Sequence, residues 1–203
     1  MQIKTASIDS LILYFKEEIN EEVLEEVLST YEALKKFPHI IDLTPSYSSI
    51  LIHYDTHFYT HTSIQKSIES YLKTYKHNKV TKNTKTIEIP VDYSKGLDLQ
   101  RVAEFHKLSI EEVIQLHSST SYRVYAIGFM VGFAYLAKVQ SAIATPRLDT
   151  PRAKVPKGSV AIADNQSAIY PSDSAGGWNI LGFTEFDNFE EFEVGDIVRF
   201  IAL

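Results

Sequence analysis

The chain has 203 residues, of which 44% are hydrophobic and 23% charged, with a net charge of −6 and no cysteine. That size and balance suit one large or two small globular domains, and the missing cysteines exclude disulfides, thiolate metal ligands and a cysteine nucleophile. The acidic balance argues against general nucleic-acid binding, and no apolar run is long enough to span a membrane. The opening MQIKTASIDS lacks the basic-then-apolar layout of a signal peptide, so a cytoplasmic protein is expected.

The two halves differ in chemistry. All eight glycines lie at residue 96 or later and all five arginines at 101 or later, whereas the first 85 residues carry ten lysines and eleven acids. So abrupt a shift predicts a domain boundary in the lysine- and threonine-rich VTKNTKTIEIP segment, with domains over residues 1–88 and 89–203. Residues 3–14 alternate as a strand. Asn20 can cap a helix over EEVLEEVLSTYEALKKF, whose Val23, Leu24, Val27, Leu28, Tyr31 and Leu34 share one face. Residues 39–45 and 48–54 read as a hairpin around Pro45-Ser46. SIQKSIESYLKTYK is a second amphipathic helix, and KTIEIPV a last strand. The order β-α-β-β-α-β is a split α/β sandwich of the ferredoxin-like type.

The second half opens with helices over LDLQRVAEFHKL and SIEEVIQLH, the latter with Ser109 and Glu112 in capping-box spacing. Short β runs follow, broken by glycine and proline: YRVYAIGFM, SVAIA, SAIYP, WNILGFTEF and DIVRFIAL. Such closely spaced strands predict a barrel or sandwich, the last strand entered by a turn at Gly195-Asp196. The whole is an α+β chain.

Two Thr-Pro-Arg copies stand five residues apart, at Thr145-Pro146-Arg147 and Thr150-Pro151-Arg152. Each proline fixes its own φ and extends the threonine before it, so the arginines are displayed from a stiff ribbon. A guanidinium fork suits carboxylate or phosphate, which makes Arg147 and Arg152 the anion-binding candidates, against the plainer alternative of surface salt bridges. Gly176-Gly177-Trp178 offers bare backbone to a ligand, or a tryptophan that anchors a loop. Gln166 and Tyr170 add neutral hydrogen-bonding groups. In GFMVGFAYL the phenylalanines are expected to pack, leaving Tyr135 as a candidate pocket residue. His53, His57 and His61 are four apart, but they straddle a strand end and a helix start, so no metal site is expected. His117 ends a helix, where the dipole would favour a protonated, capping imidazole. No phosphate loop, dinucleotide fingerprint, HExxH or GxSxG is present.

The blocks YRVYAIGFMVGFAYL, ATPRLDTPRAKVPKGSVAIA and IYPSDSAGGWNILG resemble the KipI family, also called allophanate hydrolase subunit 1, the B component of 5-oxoprolinase, or the carboxyltransferase C/D subdomain. The resemblance runs from about Lys95 to the end. It implies a cyclophilin-like barrel for the second domain and a larger companion protein, of the KipA type or the C component of 5-oxoprolinase. It also implies a LamB/YcsF-type partner and ATP-driven opening of 5-oxoproline to glutamate, with the chain inactive alone. Other members resemble an inhibitor of a sensor histidine kinase, or the carboxyltransferase part of a urea carboxylase-like system. The substrate-binding positions it carries over are His117, Tyr135, Arg147, Arg152, Gln166, Tyr170, Gly176, Gly177 and Trp178. Three places depart from the family pattern: Val131 stands for a proline, Ala137-Lys138 for two glycines, and Asp164-Asn165 for two more. Each change is expected to remove backbone freedom beside the pocket.

Overall fold

Alternating apolar residues at the start of the chain pair into a four-stranded antiparallel sheet: β1 (Gln2–Ser7), β2 (Ser10–Tyr14), β3 (Ile40–Ser46) and β4 (Ser49–Tyr54), in the order β1-β2-β4-β3. A computed structural model describes residues 1–75 and 84–203, and divides the chain into two units, Met1–Asn83 and Thr84–Leu203. In the first unit, residues 3–14 form a hairpin rather than one strand. Ile8 is 85% exposed at its tip, and the Asp9 carboxylate accepts from the hydroxyls of Ser7 at 2.6 Å and Ser10 at 3.2 Å. These short polar contacts fold the chain back where periodicity alone continues it. The observed order is therefore ββαββα, and β1 takes the sheet edge beside β2 that an expected last strand would have filled.

Helix α1 (Glu21–Leu34) starts where Asn20 accepts from the Val23 amide at 2.9 Å, and glutamates 21 and 22 face the positive end of its dipole. Helix α2 (His61–Thr74) is capped by Thr60 and Ser63 reciprocally and buries Ile64, Ile68 and Leu72 at i, i+4, i+8 spacing. Both helices pack one face of the sheet, where Leu11, Leu13, Ile50 and Ile52 complete the core. The expected end of the second helix at Lys76 and the first part of the expected linker, residues 80–83, lie outside the described residues.

The segment read as the last strand of the first half, β5 (Thr86–Val91), belongs to the second unit. It pairs in parallel with β13 (Ile197–Ala202), from Thr86↔Ile197 to Val91↔Ala202. Parallel pairing with a strand far along the chain leaves no local mark in sequence. A 3₁₀ turn, α3 (Leu99–His106) and α4 (Ile110–Ser118) follow; Ser109 and Glu112 form the expected capping box. Then come β6 (Ser121–Ile127), β7 (Ala134–Ala137), β8 (Arg152–Val155), β9 (Ser159–Ala163), β10 (Gln166–Ile169), β11 (Ser174–Gly176) and β12 (Asn179–Phe183).

Seven of these strands form one sheet, ordered β12-β9-β10-β7-β6-β13-β5. Its two outermost strands meet: Asp92 and Phe183 exchange backbone hydrogen bonds of 2.8 and 3.0 Å, so the sheet is a nearly closed barrel. The inner face collects apolar residues from all seven strands, among them Val91, Val124, Leu136, Ile162, Ile169, Leu181 and Phe200, together with Leu99, Val102 and Val113 from α3 and α4. The outer face of the β12-β9-β10-β7 half holds a separate cluster, with Phe133, Tyr170, Trp178 and Ile180 beside Val155 of the small β8–β11 ribbon.

Glycines let the barrel edges touch. A Cβ on Gly182 would lie 2.7 Å from Val91 Cγ1, and one on Gly96 would overlap the Leu181 carbonyl oxygen. Gly182→Ala should therefore cost about 1–3 kcal/mol through overpacking. Equilibrium urea unfolding measures this, and wild-type stability in the variant would show that the seam is not tightly closed.

Candidate functional site

The Thr-Pro-Arg segment lies along the outer face, pinned from below. Thr145 is fully buried; its hydroxyl donates to the Ile143 carbonyl at 2.9 Å and meets His106 Nε2 at 3.1 Å. The Pro146 carbonyl accepts from Asn179 Nδ2 at 2.9 Å, while the other side of the Asn179 amide accepts from Arg101 on α3. The Leu148 amide donates to the Gly177 carbonyl at 2.7 Å. With proline restricting φ at two positions, the ribbon has few ways to move.

The two arginines, equivalent in sequence, have different surroundings. Arg147 is exposed, with its guanidinium carbon 5.7 Å from the Trp178 ring centre, within cation–π range. It has no carboxylate partner among the described residues. Arg152 is partly buried, its Nη2 donating to Oδ1 of the buried Asp98 at 2.6 Å. Asp98 Oδ2 accepts from the Ile180 amide at 2.7 Å, and Arg152 Nη1 is buried without a hydrogen-bond partner.

Around them stands an aromatic wall. Phe133 contacts Tyr135 at 4.9 Å, Tyr170 at 5.4 Å and Trp178 at 5.8 Å, mostly edge to face. Burial pushes the hydroxyls of Tyr135 and Tyr170 up, and the nearby Arg147 charge pulls the other way on both; Arg152 adds to that pull on Tyr170. Both phenols are therefore neutral at physiological pH. Gly176 fits against Tyr170, whose hydroxyl a Cβ there would overlap. Gln166 alternates along β10 with Ala168 and Tyr170, which places it on the same outer face. The structure thus brings Arg147, Arg152, Tyr135, Tyr170, Gly176, Gly177 and Trp178 together, with Gln166 on their face of the sheet.

His117 is elsewhere. It is fully buried on the inner face, stacked on Phe200 at 4.6 Å; Nδ1 meets the Tyr93 hydroxyl at 2.7 Å and Nε2 the Ser167 hydroxyl at 3.0 Å. Ser167 donates onward to the Ala161 carbonyl at 3.2 Å, a chain that fits a neutral imidazole carrying its proton on Nε2. Burial lowers its pKa to about 3, so the expected protonated capping role is overturned: desolvation outweighs the helix dipole. The phenylalanine expectation is also corrected in part. Phe133 packs, but Phe129 is 66% exposed at the tip of the β6–β7 turn, where Phe129 and Gly132 both take positive φ.

Asp98 and Asn179 were not among the sequence candidates. An aspartate at a helix start reads as a cap, but the Asp98 side chain makes no capping bond and turns to Arg152 instead. The three spaced histidines go to separate partners, His53 to Asp9, His57 to Asp55 and His61 to Tyr54. Among the described residues no group of three His, Asp or Glu side chains is arranged to hold a metal, and no helix is long and apolar enough to cross a membrane.

The family defined as the carboxyltransferase domain, subdomain C and D, matches residues 1–195. The chain belongs to this family. It is 34% identical over 223 residues to the B component of 5-oxoprolinase from Bacillus subtilis (strain 168), covering 100% of this chain and 92% of that protein. It is 45% identical over 125 residues to the corresponding 5-oxoprolinase component of Haemophilus influenzae, covering 57% and 59%. Among solved structures, TTHA0988 superposes with a TM-score of 0.82 at 34% identity over 96% of this chain, which spans 39% of that longer one. The urea carboxylase of Kluyveromyces lactis matches with a TM-score of 0.77 over 99% of this chain and 21% of its own, at 14% identity, a likeness of fold.

At one of the positions where lost backbone freedom was expected, the turn is left-handed all the same. Asp164 adopts a left-handed φ of 51°, and its amide donates to the Thr145 carbonyl at 2.8 Å. Aspartate tolerates this region better than most side chains. The turn beside the ribbon is thus made in a glycine-like conformation by an aspartate. Val131 is 82% exposed at the β6–β7 tip.

The neutral His117 makes a pH prediction. In the unfolded chain it takes a proton near pH 6.5, whereas in the folded chain it does so only at about 3. The unfolded state binds more protons between these values, so stability contributed by neutral His117 is present above that window and lost as pH falls through it, at up to about 1.4 kcal/mol per pH unit. His117→Asn removes this dependence. The gap in unfolding free energy between wild type and variant should shrink by about 2 kcal/mol from neutral pH to about pH 5. A pH-independent gap would mean that His117 titrates normally.

Proposed function

We propose that this chain is a subunit of an ATP-dependent 5-oxoprolinase, or of a related allophanate hydrolase-type amidohydrolase. It acts in the cytoplasm with a larger companion, of the KipA type or the C component of 5-oxoprolinase, and with a LamB/YcsF-type protein. In this reading the second unit is a cyclophilin-like barrel. The first is a ferredoxin-like variant whose edge strand comes from the N-terminal hairpin.

The observation that carries the reading is Arg147: an exposed guanidinium without a carboxylate partner among the described residues, on a proline-stiffened ribbon above Trp178. Its surroundings suit a small anion with an apolar ring. The guanidinium forks onto the carboxylate of 5-oxoproline or a phosphorylated intermediate, the aromatic wall excludes water, and the neutral tyrosines supply hydrogen bonds without repelling the anion. The relatives named as 5-oxoprolinase components favour this substrate over urea, for which the likeness is one of fold. Activation of the lactam by ATP and its opening by water fall to groups on the companion proteins. This chain orients the substrate.

The test is reconstitution. The chain alone should hydrolyse no ATP, and with both companions it should show 5-oxoproline-dependent ATP hydrolysis. Arg147→Ala should reduce kcat/KM by about tenfold to a hundredfold, the worth of one charge-assisted contact, with stability within about 0.5 kcal/mol of wild type. A complete complex without 5-oxoproline-dependent turnover, or an Arg147→Ala complex with wild-type kinetics, would overturn the reading.

A further inference from the structure

The Asp98–Arg152 contact is built in a way that a purely structural ion pair does not require. A guanidinium facing a carboxylate commonly pairs through two parallel hydrogen bonds, satisfying both terminal nitrogens. Here only one of those two bonds is made. Asp98 Oδ1 takes Arg152 Nη2 at 2.6 Å, while Oδ2 accepts from the Ile180 amide at 2.7 Å and is turned toward β12. Arg152 Nη1 is left buried with no acceptor. Leaving a buried donor unpaired is costly, the more so for a charged group. The cost falls next to the candidate anion site, since Arg152 pairs across the β8–β11 ribbon with Gly176, two residues before the Trp178 that Arg147 covers.

We propose that Asp98 is a positioning residue: by holding Arg152 through Nη2 alone, it keeps Nη1 as a second donor for one oxygen of a carboxylate or phosphoryl group whose other oxygen meets Arg147. The inference rests on the anion-site reading above and adds to it a second contact and the residue that sets it. Asp98 is well suited to the task. It is 5% exposed at the start of α3, and its own backbone amide donates to the Ile180 carbonyl at 2.9 Å, so the residue is tied to β12 through both backbone and side chain. A site arranged in this way recognises an anion with two oxygens and discriminates against a neutral ring of the same shape, which would leave Arg147 and Arg152 Nη1 without an acceptor.

Trp178 is the only tryptophan of the chain, so its emission reports on this site directly. The experiment is a fluorescence titration of the full chain with 5-oxoproline, with inorganic phosphate, and with 2-pyrrolidinone, the same lactam ring without a carboxylate. Wild type should give a saturable change with 5-oxoproline and none with 2-pyrrolidinone. Arg152→Lys keeps a cation for Asp98 but lacks the second amino group. It should raise Kd about tenfold while leaving the ligand-free emission spectrum unchanged, a pattern that general loss of structure would not produce. Asp98→Asn should weaken binding at least as much. Wild-type affinity in Arg152→Lys overturns the proposal even if Asp98→Asn fails to fold, and so does a wild type that responds to neither anion. A response to phosphate alone that Arg152→Lys weakens supports the two-donor site and rejects 5-oxoproline as its ligand.

Discussion

The second unit depends on how closely two backbones approach at the barrel seam. At Gly182 and Gly96 a side chain would strike Val91 or the Leu181 carbonyl, and only hydrogen there lets β5 reach β12 and exchange hydrogen bonds between Asp92 and Phe183. The seam continues past the strands. Asp98 is zipped to Ile180 through both backbone and side chain. From there α3 reaches the outer face twice, through Asp98 to Arg152 and through Arg101 to Asn179, which in turn holds Pro146. The arginine ribbon is therefore placed by barrel closure as much as by its own prolines.

The sheet also separates two kinds of polar chemistry. On its inner side Tyr93, His117 and Ser167 form a hydrogen-bonded row sealed from water, where desolvation keeps the imidazole neutral. A serine beside a histidine has the elements of a nucleophile and its base, but both are fully buried, so this row holds the core in register. On the outer side Arg147 keeps its charge in contact with solvent and rests on an aromatic face. The same side-chain types would serve different ends if the strand register slipped by one residue.

Much of this was legible in the sequence, and the limits follow physical lines. Helix starts at Asn20 and Ser109 were readable because capping is decided within four residues. Strands β9, β10, β12 and β13 were visible as apolar runs between turn residues. The hairpin tip at Ile8–Asp9 was missed because it is made by hydroxyl–carboxylate contacts inside an alternating pattern. The partner of β5 and the partner of Asp98 were hidden for a different reason, since both are chosen by tertiary approach. Proline stiffening of the ribbon was legible, but nothing local distinguishes Arg147 from Arg152. One has a buried carboxylate beneath it and the other has open solvent.

The parallel pairing of β5 with β13 bears on how the second unit folds. Glu88 and Arg199, opposite each other in that ladder, are 111 residues apart in the chain. Contacts of such separation carry a large loop-closure entropy and form late, while helix pairs such as α3 and α4 form early. On the ribosome β5 emerges long before its partner, with its hydrogen-bonding edge uncovered in the meantime. A nascent chain of this kind is exposed to wrong strand pairing until synthesis nears β13, and Pro90 within β5, which offers no amide to a foreign strand, limits that exposure.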